Sequence, residues 1–438
     1  MKLKQAWRSG PLGTSSFRLL TAGQFVSTAG DYCYAVALPW LVLSNHGSTV
    51  LLGMLLACYG VPRTVFIPVG GMLADKIGPR ATMLIADASR FVFVALFAVL
   101  AAGHHVSIVA LGPLAALIGA GEGLFIPASY AIVPSLLDKG TLMSGNAVFS
   151  AGQQVGALIG PAMGGVLVAG LGPAPALAVD AASFGVSTLC IAFIRARAVG
   201  ASSDEEAAQA VIDVDPIRPA DPSPETSGGV LRLLRKSRQL RVHLMVVLAV
   251  NLSLAGLGEV ALPALVHDRW AASSYGTVLA CSAIGAILGS VGASRAGGLR
   301  RPMTISGLTI FVMSVAIVLL PFLGGIAGAA AAMLVMGLCA SFGSTIAMPA
   351  VQTYVPPRLL GRTMSAIMLC SLGSMPLSVA VTGVLVQHIG PAAFFPIAGA
   401  LVGVVVLLGL TQRTWREFGA RDVPVTAESP TNESALSA

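Results

Sequence analysis

Charged side chains are scarce in this sequence. Asp, Glu, Lys and Arg together make up 10% of the 438 residues, where a soluble domain carries about 25%. Aromatic residues are also few, at 6%, and there are only six cysteines and six histidines. With so few charges and 55% hydrophobic residues, the chain cannot clothe a water-facing surface, which excludes an ordinary soluble fold. The cysteines (Cys33, Cys58, Cys190, Cys281, Cys339, Cys370) lie singly in apolar runs, which excludes a disulfide framework or a zinc site by spacing. The histidines show no metal-ligand spacing either, so no metal is expected. No Gly-Lys-Ser/Thr phosphate loop is present, which removes an ATP-driven pump. No nucleophile, base and acid set suggests catalysis, and the chain is read as a non-enzyme without a cofactor.

Long apolar runs are plentiful. Stretches of about 20 residues or more recur near 17–43, 49–73, 82–103, 107–134, 142–170 and 174–194, and again near 242–266, 274–296, 303–323, 327–355, 362–387 and 391–411. Each is long enough to span a bilayer as a helix. The first is too long for a signal peptide and is expected to be retained. The expected fold is an all-α membrane protein of twelve transmembrane helices in two six-helix halves. Residues 1–195 form the N-terminal half and 242–412 the C-terminal half. Residues 196–241 are expected to be a polar linker ending in a short basic amphipathic helix, Val230–Arg241, and 413–438 a disordered tail.

Net charge is +7, so the placement of the basic residues matters. Every lysine and arginine other than Arg63, Arg90, Arg218 and Arg269 falls at the termini or in loops on one side of this segmentation. That is the positive-inside pattern. It places both termini and the central linker in the cytoplasm, and it accounts for the basic balance without nucleic acid.

Short echoes run through the chain. GGMLADKIGP at 70–79 returns as GGVLVAGLGP at 164–173, and the Ala-Gly-Asp ending at Asp31 returns as Ala-Gly-Glu ending at Glu122. Ala-Leu-Pro at 37–39 recurs at 261–263. A three-helix unit has odd parity, so its copy must insert inverted. Two halves of inverted repeats is an architecture of alternating-access transporters.

Two motifs narrow the reading. Gly71-Met-Leu-Ala-Asp75-Lys76-Ile-Gly78-Pro79-Arg80, between the second and third helices, is similar to the loop signature of the major facilitator superfamily. The resemblance covers roughly residues 15–412, nearly the whole chain. It implies close packing at Gly71, a tight turn at Gly78 and an ion pair across the halves from Asp75. Pro79 stands where that signature has a base. Gly156-Ala-Leu-Ile-Gly160-Pro161-Ala-Met-Gly164-Gly165 on the fifth helix resembles the signature of the superfamily's drug:proton antiporter branch. Its glycines make a face that a neighbouring helix can approach, and Pro161 kinks the helix. Further stretches, among them LFIPASYAIVPSLL, VDAASFGVSTL and VPPRLLGRTMSA, resemble the enterobactin-exporter and macrolide-efflux group.

Ionisable residues within a bilayer are costly and mark function. Asp31, Glu122 and Glu259 fall on helices 1, 4 and 7, which with helix 10 line the central cavity in the superfamily arrangement. At least one of them is expected to bind and release the coupling proton, with Glu122 ranked first and Glu259 second. Arg63, at similar depth, is the expected ion-pair partner of Asp31. Asp87 and Arg90 on helix 3, near its cytoplasmic end, and Asp180 near the outer end of helix 6 are read as structural. The resemblance therefore implies a monomeric exporter in a bacterial inner membrane. It would exchange a small amphipathic molecule (a drug, macrolide or siderophore-like compound) for protons. Proton-coupled uptake, lipid flipping and a non-transporting receptor or scaffold are the alternatives.

Overall fold

A computed structural model describes residues 11–45, 47–103, 106–137, 141–194, 237–296, 299–354, 367 and 370–417. Six helices form the N-terminal half: α1 (Ser15–Ser44), α2 (Thr49–Ile77), α3 (Pro79–Ala102), α4 (Ile108–Leu136), α5 (Leu142–Leu171) and α6 (Pro173–Ala192). In the C-terminal half α7 starts at Arg238–Gly256, passes through a π-helical segment, Leu257–Ala261, and ends as Leu262–Arg269. There follow α8 (Ala272–Arg295), α9 (Pro302–Leu319), α10 (Gly325–Tyr354), α11 (Met375–Ile389), α12 (Pro391–Thr411) and a short α13 (Arg413–Arg416). Among the described residues eleven helices are long and apolar enough to cross a membrane. The twelfth, α1, is just as long at 30 residues but carries Gln24, Ser27, Thr28 and Asp31.

Local chemistry sets the helix ends. The Ser48, Ser107 and Ser237 hydroxyls accept hydrogen bonds from the backbone N–H groups of Leu51, Ala110 and Leu240, capping α2, α4 and α7. Three of the turns share one device. Gly78, Gly172 and Gly390 have φ of 88°, 89° and 80°, a region that favours glycine, and each is followed by a proline opening the next helix. Gly78 and Gly172, each with its following proline, close the two matched segments seen in the sequence.

The hydrophobic core shows how the halves meet. One large cluster joins both, from Val36, Leu41, Leu52 and Leu55 to Val260, Leu265, Tyr275 and Val379. Its N-terminal-half members include the end of α1, the start of α2, the end of α3 and the start of α4, and its C-terminal-half members include the end of α7 and the start of α8. The halves are thus fused at the face opposite the chain ends. At the terminal face the clusters are confined to one half each. Phe17, Met83, Ile132, Phe149 and Ile191 form one in the N-terminal half. Met303 with Val351, and Val246 with Val402, Val406 and Trp415, form two in the C-terminal half.

Two close crossings seal the opposite face. On α5 and α8, a methyl group added at Gly165 would lie 3.2 Å from the Cα of Gly276. On α2 and α11, one added at Gly53 would lie 3.2 Å from the Cα of Gly383. Beside the second crossing, the Thr49 hydroxyl lies 2.9 Å from the Gly383 carbonyl and 3.2 Å from Gln387 Oε1. Trp40 on α1 packs edge-on against His267 on α7, with centroids 4.9 Å apart.

Several expectations are corrected. The disordered tail does not begin at residue 413, because α13 is folded and Trp415 is 1% exposed. Gly307 and Gly409 make room for its indole. The last residues of the expected amphipathic helix, Arg238–Arg241, are instead the first turn of α7. Residues 196–236 of the linker, the tail from 418, Arg358 and Arg362 lie outside the described residues. At Gly71 an added methyl group would meet nothing, so it is not the packing glycine. Its neighbour Gly70 is, with Leu124 Cα on α4 at 2.7 Å. One residue of helix turns the side chain by about 100°, enough to move the close approach from one glycine to the next.

Candidate functional site

A cavity of about 530 Å³ lies between the halves. Its lining comes from α1 to α7 and from the α11 side through Leu372 and Met375. Among the described residues α10 contributes none, which corrects the expectation from helices 1, 4, 7 and 10. Aromatic rings supply much of the wall, with Tyr32 and Tyr34 on α1, Tyr59 on α2, and Phe125 and Tyr130 on α4. Tyr34 stacks with Tyr59 and meets the edge of Phe97.

All three candidate carboxylates, Asp31, Glu122 and Glu259, reach this cavity, and so does Arg63. Their pairing differs from the expected one. Arg63 Nε stands 3.2 Å from Glu122 Oε2, not against Asp31. The Tyr59 hydroxyl donates to the same Glu122 oxygen. Tyr59 and Arg63 are four residues apart on α2, so both face α4. Gly119 and Gly123 on α4 make this possible, since a side chain at either would collide with α2 backbone at Tyr59 or Arg63.

Asp31 is held instead by Arg90, whose Nη2 lies 2.5 Å from Asp31 Oδ1. Arg90 sits in the middle of α3, not near its end, and its side chain is 3% exposed. Its guanidinium carbon is 3.9 Å from the Phe184 ring centre on α6, a cation–π contact. Asp87 Oδ1 lies 3.7 Å away on the same helix, and the Ser187 hydroxyl donates to Asp87 Oδ2 at 2.6 Å. Arg90 and Asp180 both line the cavity, so these two are not peripheral.

Glu259 is the one carboxylate that the C-terminal half brings to the lining. It lies in the π-helical segment of α7, where the altered backbone spacing swings a side chain out of the α-helical register. The Tyr275 hydroxyl donates to the Gly258 carbonyl at 3.3 Å in that segment. Among the described residues Glu259 has no hydrogen bond or ion pair.

The signature glycines of α5 divide by partner. Gly156, Gly160 and Gly164 face α1. Added methyl groups there would lie 3.0 Å from the Phe25 carbonyl oxygen, 2.5 Å from that of Ala29 and 3.0 Å from Cys33 Cα. Gly165 turns to α8 in the other half, and the backbone of Pro161 also lies against Gly276. The loop motif at the terminal face is more open. Asp75 and Lys76 are exposed, and Asp75 makes no ion pair among the described residues. Arg80 points back into its own half, donating to the Ile191 and Ala192 carbonyls at 3.2 and 2.6 Å. It satisfies free carbonyls at the end of α6 and complements the helix dipole.

Sequence reasoning missed the Arg90–Asp31 pair, the place of Asp180 and the role of Tyr59. For Tyr59 a signal existed, its spacing of four from Arg63. The other two depend on which helices pack together. Among the described residues no His, Cys, Asp and Glu cluster could hold a metal ion.

Comparisons with known proteins agree with this architecture. Residues 20–379 match the Major Facilitator Superfamily. The chain is 29% identical over 420 residues to a multidrug efflux pump, Tap, of Mycolicibacterium fortuitum, covering 91% of this chain and 96% of that protein. It is 27% identical over 395 residues to the Tap pump of Mycobacterium tuberculosis H37Rv, covering 86% and 88%. In fold it is similar to the nucleoside transporter NupG, with a TM-score of 0.70 at 12% identity over 90% of this chain and 98% of that one. It is also similar to a D-xylose–proton symporter, with a TM-score of 0.69 at 13% identity over 92% and 98%.

Proposed function

Given that this chain belongs to the major facilitator superfamily, and is therefore a multi-pass membrane transporter and not an enzyme, we propose that it exports a small amphipathic molecule in exchange for protons. The observation that carries this reading is the charge balance of the cavity. Four carboxylates, Asp31, Glu122, Asp180 and Glu259, share its lining with two guanidiniums, Arg63 and Arg90. Keeping all four ionised away from bulk water is expensive. Binding a proton at one of them halves the excess of two negative charges, and losing it restores the full excess. Such a group biases the equilibrium between inward-open and outward-open states.

The rest of the cavity suits an amphipathic guest, because tyrosines offer both an apolar face and a hydroxyl. Export as the direction rests on the α5 glycine signature and on relatives named as multidrug efflux pumps. The one-sided distribution of lysine and arginine supports a terminal face in the cytoplasm of a bacterial cell, with both termini inside. The closed crossings then lie on the outer side, and the cavity faces the cytoplasm, the side from which cargo is loaded. A monomer suffices, since the cavity is built by one chain.

Inverted membrane vesicles with an imposed pH gradient, acid inside, test this. A panel of neutral and cationic fluorescent drugs should include members that accumulate in vesicles containing the protein. Collapse of the gradient by a protonophore should abolish that accumulation. At least one of D31N, E122Q and E259Q should lose it while keeping downhill exchange. Accumulation of no panel member, or accumulation indifferent to the gradient, would overturn the proposal.

A further inference from the structure

Asp180 is unlike the other carboxylates of the cavity. It is 1% exposed, whereas the Asp31 side chain is 36% exposed and that of Glu122 17%. Glu122 has Arg63 and Tyr59, Asp31 has Arg90, and Asp87 has Ser187 and Arg90. Asp180 has no ion pair among the described residues. Its side chain accepts one long hydrogen bond, from Ser183 at 3.5 Å. It presses against α1 at Gly30, where an added methyl group would lie 2.6 Å from Asp180 Oδ1. An ionised carboxylate this buried is tolerated only with a cation beside it.

The charged and titratable groups around it do not supply one of its own. From α1 come Asp31, Cys33 and Tyr34, from α3 Arg90, and from α4 Glu122. The single cation among them, Arg90, is engaged by Asp31 and Asp87 and lies within electrostatic reach of Asp180. Two carboxylates therefore contact this guanidinium, and Asp180 stands beyond ion-pair distance but within its field.

Resting on the proton-coupled reading above, we propose that Asp180 carries a proton in the transport cycle and competes with Asp31 for Arg90. In the conformation described here Arg90 is bound to Asp31, and the proton resides on Asp180. When Asp180 gives up that proton to the cavity water, its new charge draws Arg90 away from Asp31. Because Asp31 is on α1, Arg90 on α3 and Asp180 on α6, the exchange reorders contacts among three helices of one half. Taking up a proton returns Arg90 to Asp31. The proton is the only species gained or lost, so charge and atoms balance.

Infrared difference spectroscopy of the purified wild-type protein, stepped from acid to alkaline pH, reads this without a substrate. A C=O band of a protonated carboxyl group should be present, absent in D180N and displaced in D180E, and retained in E259Q. In vesicles, D180N should lose at least tenfold in gradient-driven accumulation of whichever panel drug the wild type carries, with downhill exchange kept. D180E should restore part of it with a moved pH profile. Absence of any Asp180-dependent carboxyl band, or gradient-driven accumulation by D180N at the wild-type level, would overturn the proposal. If the wild type accumulates no drug but shows the band, the proton-coupled function fails while the protonation of Asp180 stands. A D180N protein that does not fold leaves the D180E band shift to decide.

Discussion

Arg90 on α3 binds Asp31 on α1 across 2.5 Å, with its guanidinium lying over Phe184 on α6. One side chain therefore ties three helices. Arg90 is buried while the Asp31 side chain is 36% exposed, so removing Arg90 destabilises chiefly by leaving carboxylates without their cation. R90A strands both Asp31 and Asp87. It is expected to lower the melting temperature in detergent much more than D31N, which leaves Arg90 its contacts with Asp87 and Phe184. The double variant R90A/D31N should recover part of the loss. Equal melting of R90A and D31N would show that the pair is not what holds these helices.

The seal opposite the terminal face gives a second expectation. Thr49 and Gln387 touch across the two halves, with Oγ1 and Oε1 3.2 Å apart. In a background free of the six native cysteines, T49C/Q387C should form a disulfide on mild oxidation and stop transport. Reduction should restore it. A disulfide that forms and leaves transport intact would mean that this face need not open.

The glycine face of α5 has its own test. Leucine at Gly160 or Gly164 would drive into α1 at the Ala29 carbonyl or Cys33 Cα. Both variants should insert into the membrane at normal levels and fail to transport, because close packing of these helices is lost. Wild-type transport by both, at equal expression, would remove the packing argument.

Outside the bilayer, α13 offers a pH prediction. The hydrogen bond from Arg413 to Glu417, at 2.8 Å, holds the Glu417 carboxyl below its ordinary value, with the charges of Arg413, Arg301 and Arg416 adding to the effect. A lowered carboxyl contributes stability that is present above the unfolded value and is lost as pH falls through the folded one. E417Q should therefore destabilise slightly near neutral pH and not at all in strong acid. The effect is small because both side chains are solvated, and 1 M salt should erase most of it. A difference that grows on acidification would contradict the pairing. Detergent melts at several pH values read this directly.

Composition and spacing alone determined the helices of this protein. A run of about 20 apolar residues has one stable outcome in lipid, and a Gly-Pro step after it ends one helix and starts the next, as at Gly78, Gly172 and Gly390. The place of Asp31, Glu122 and Glu259 within membrane-spanning helices was legible for the same reason: an acid in such a run is conspicuous. Tertiary structure decided the partners. Asp31 could have met Arg63 or Arg90, and only the packing of α1 and α3 against α6 chose Arg90. The same packing put Asp180 in the cavity, and a π-helical turn in α7 aimed Glu259 there. Ion pairs between helices depend on distances of a few ångströms set by which small residues allow contact. Gly30, Gly119 and Gly123 are those residues, but their effect is felt on neighbouring helices far away in the chain.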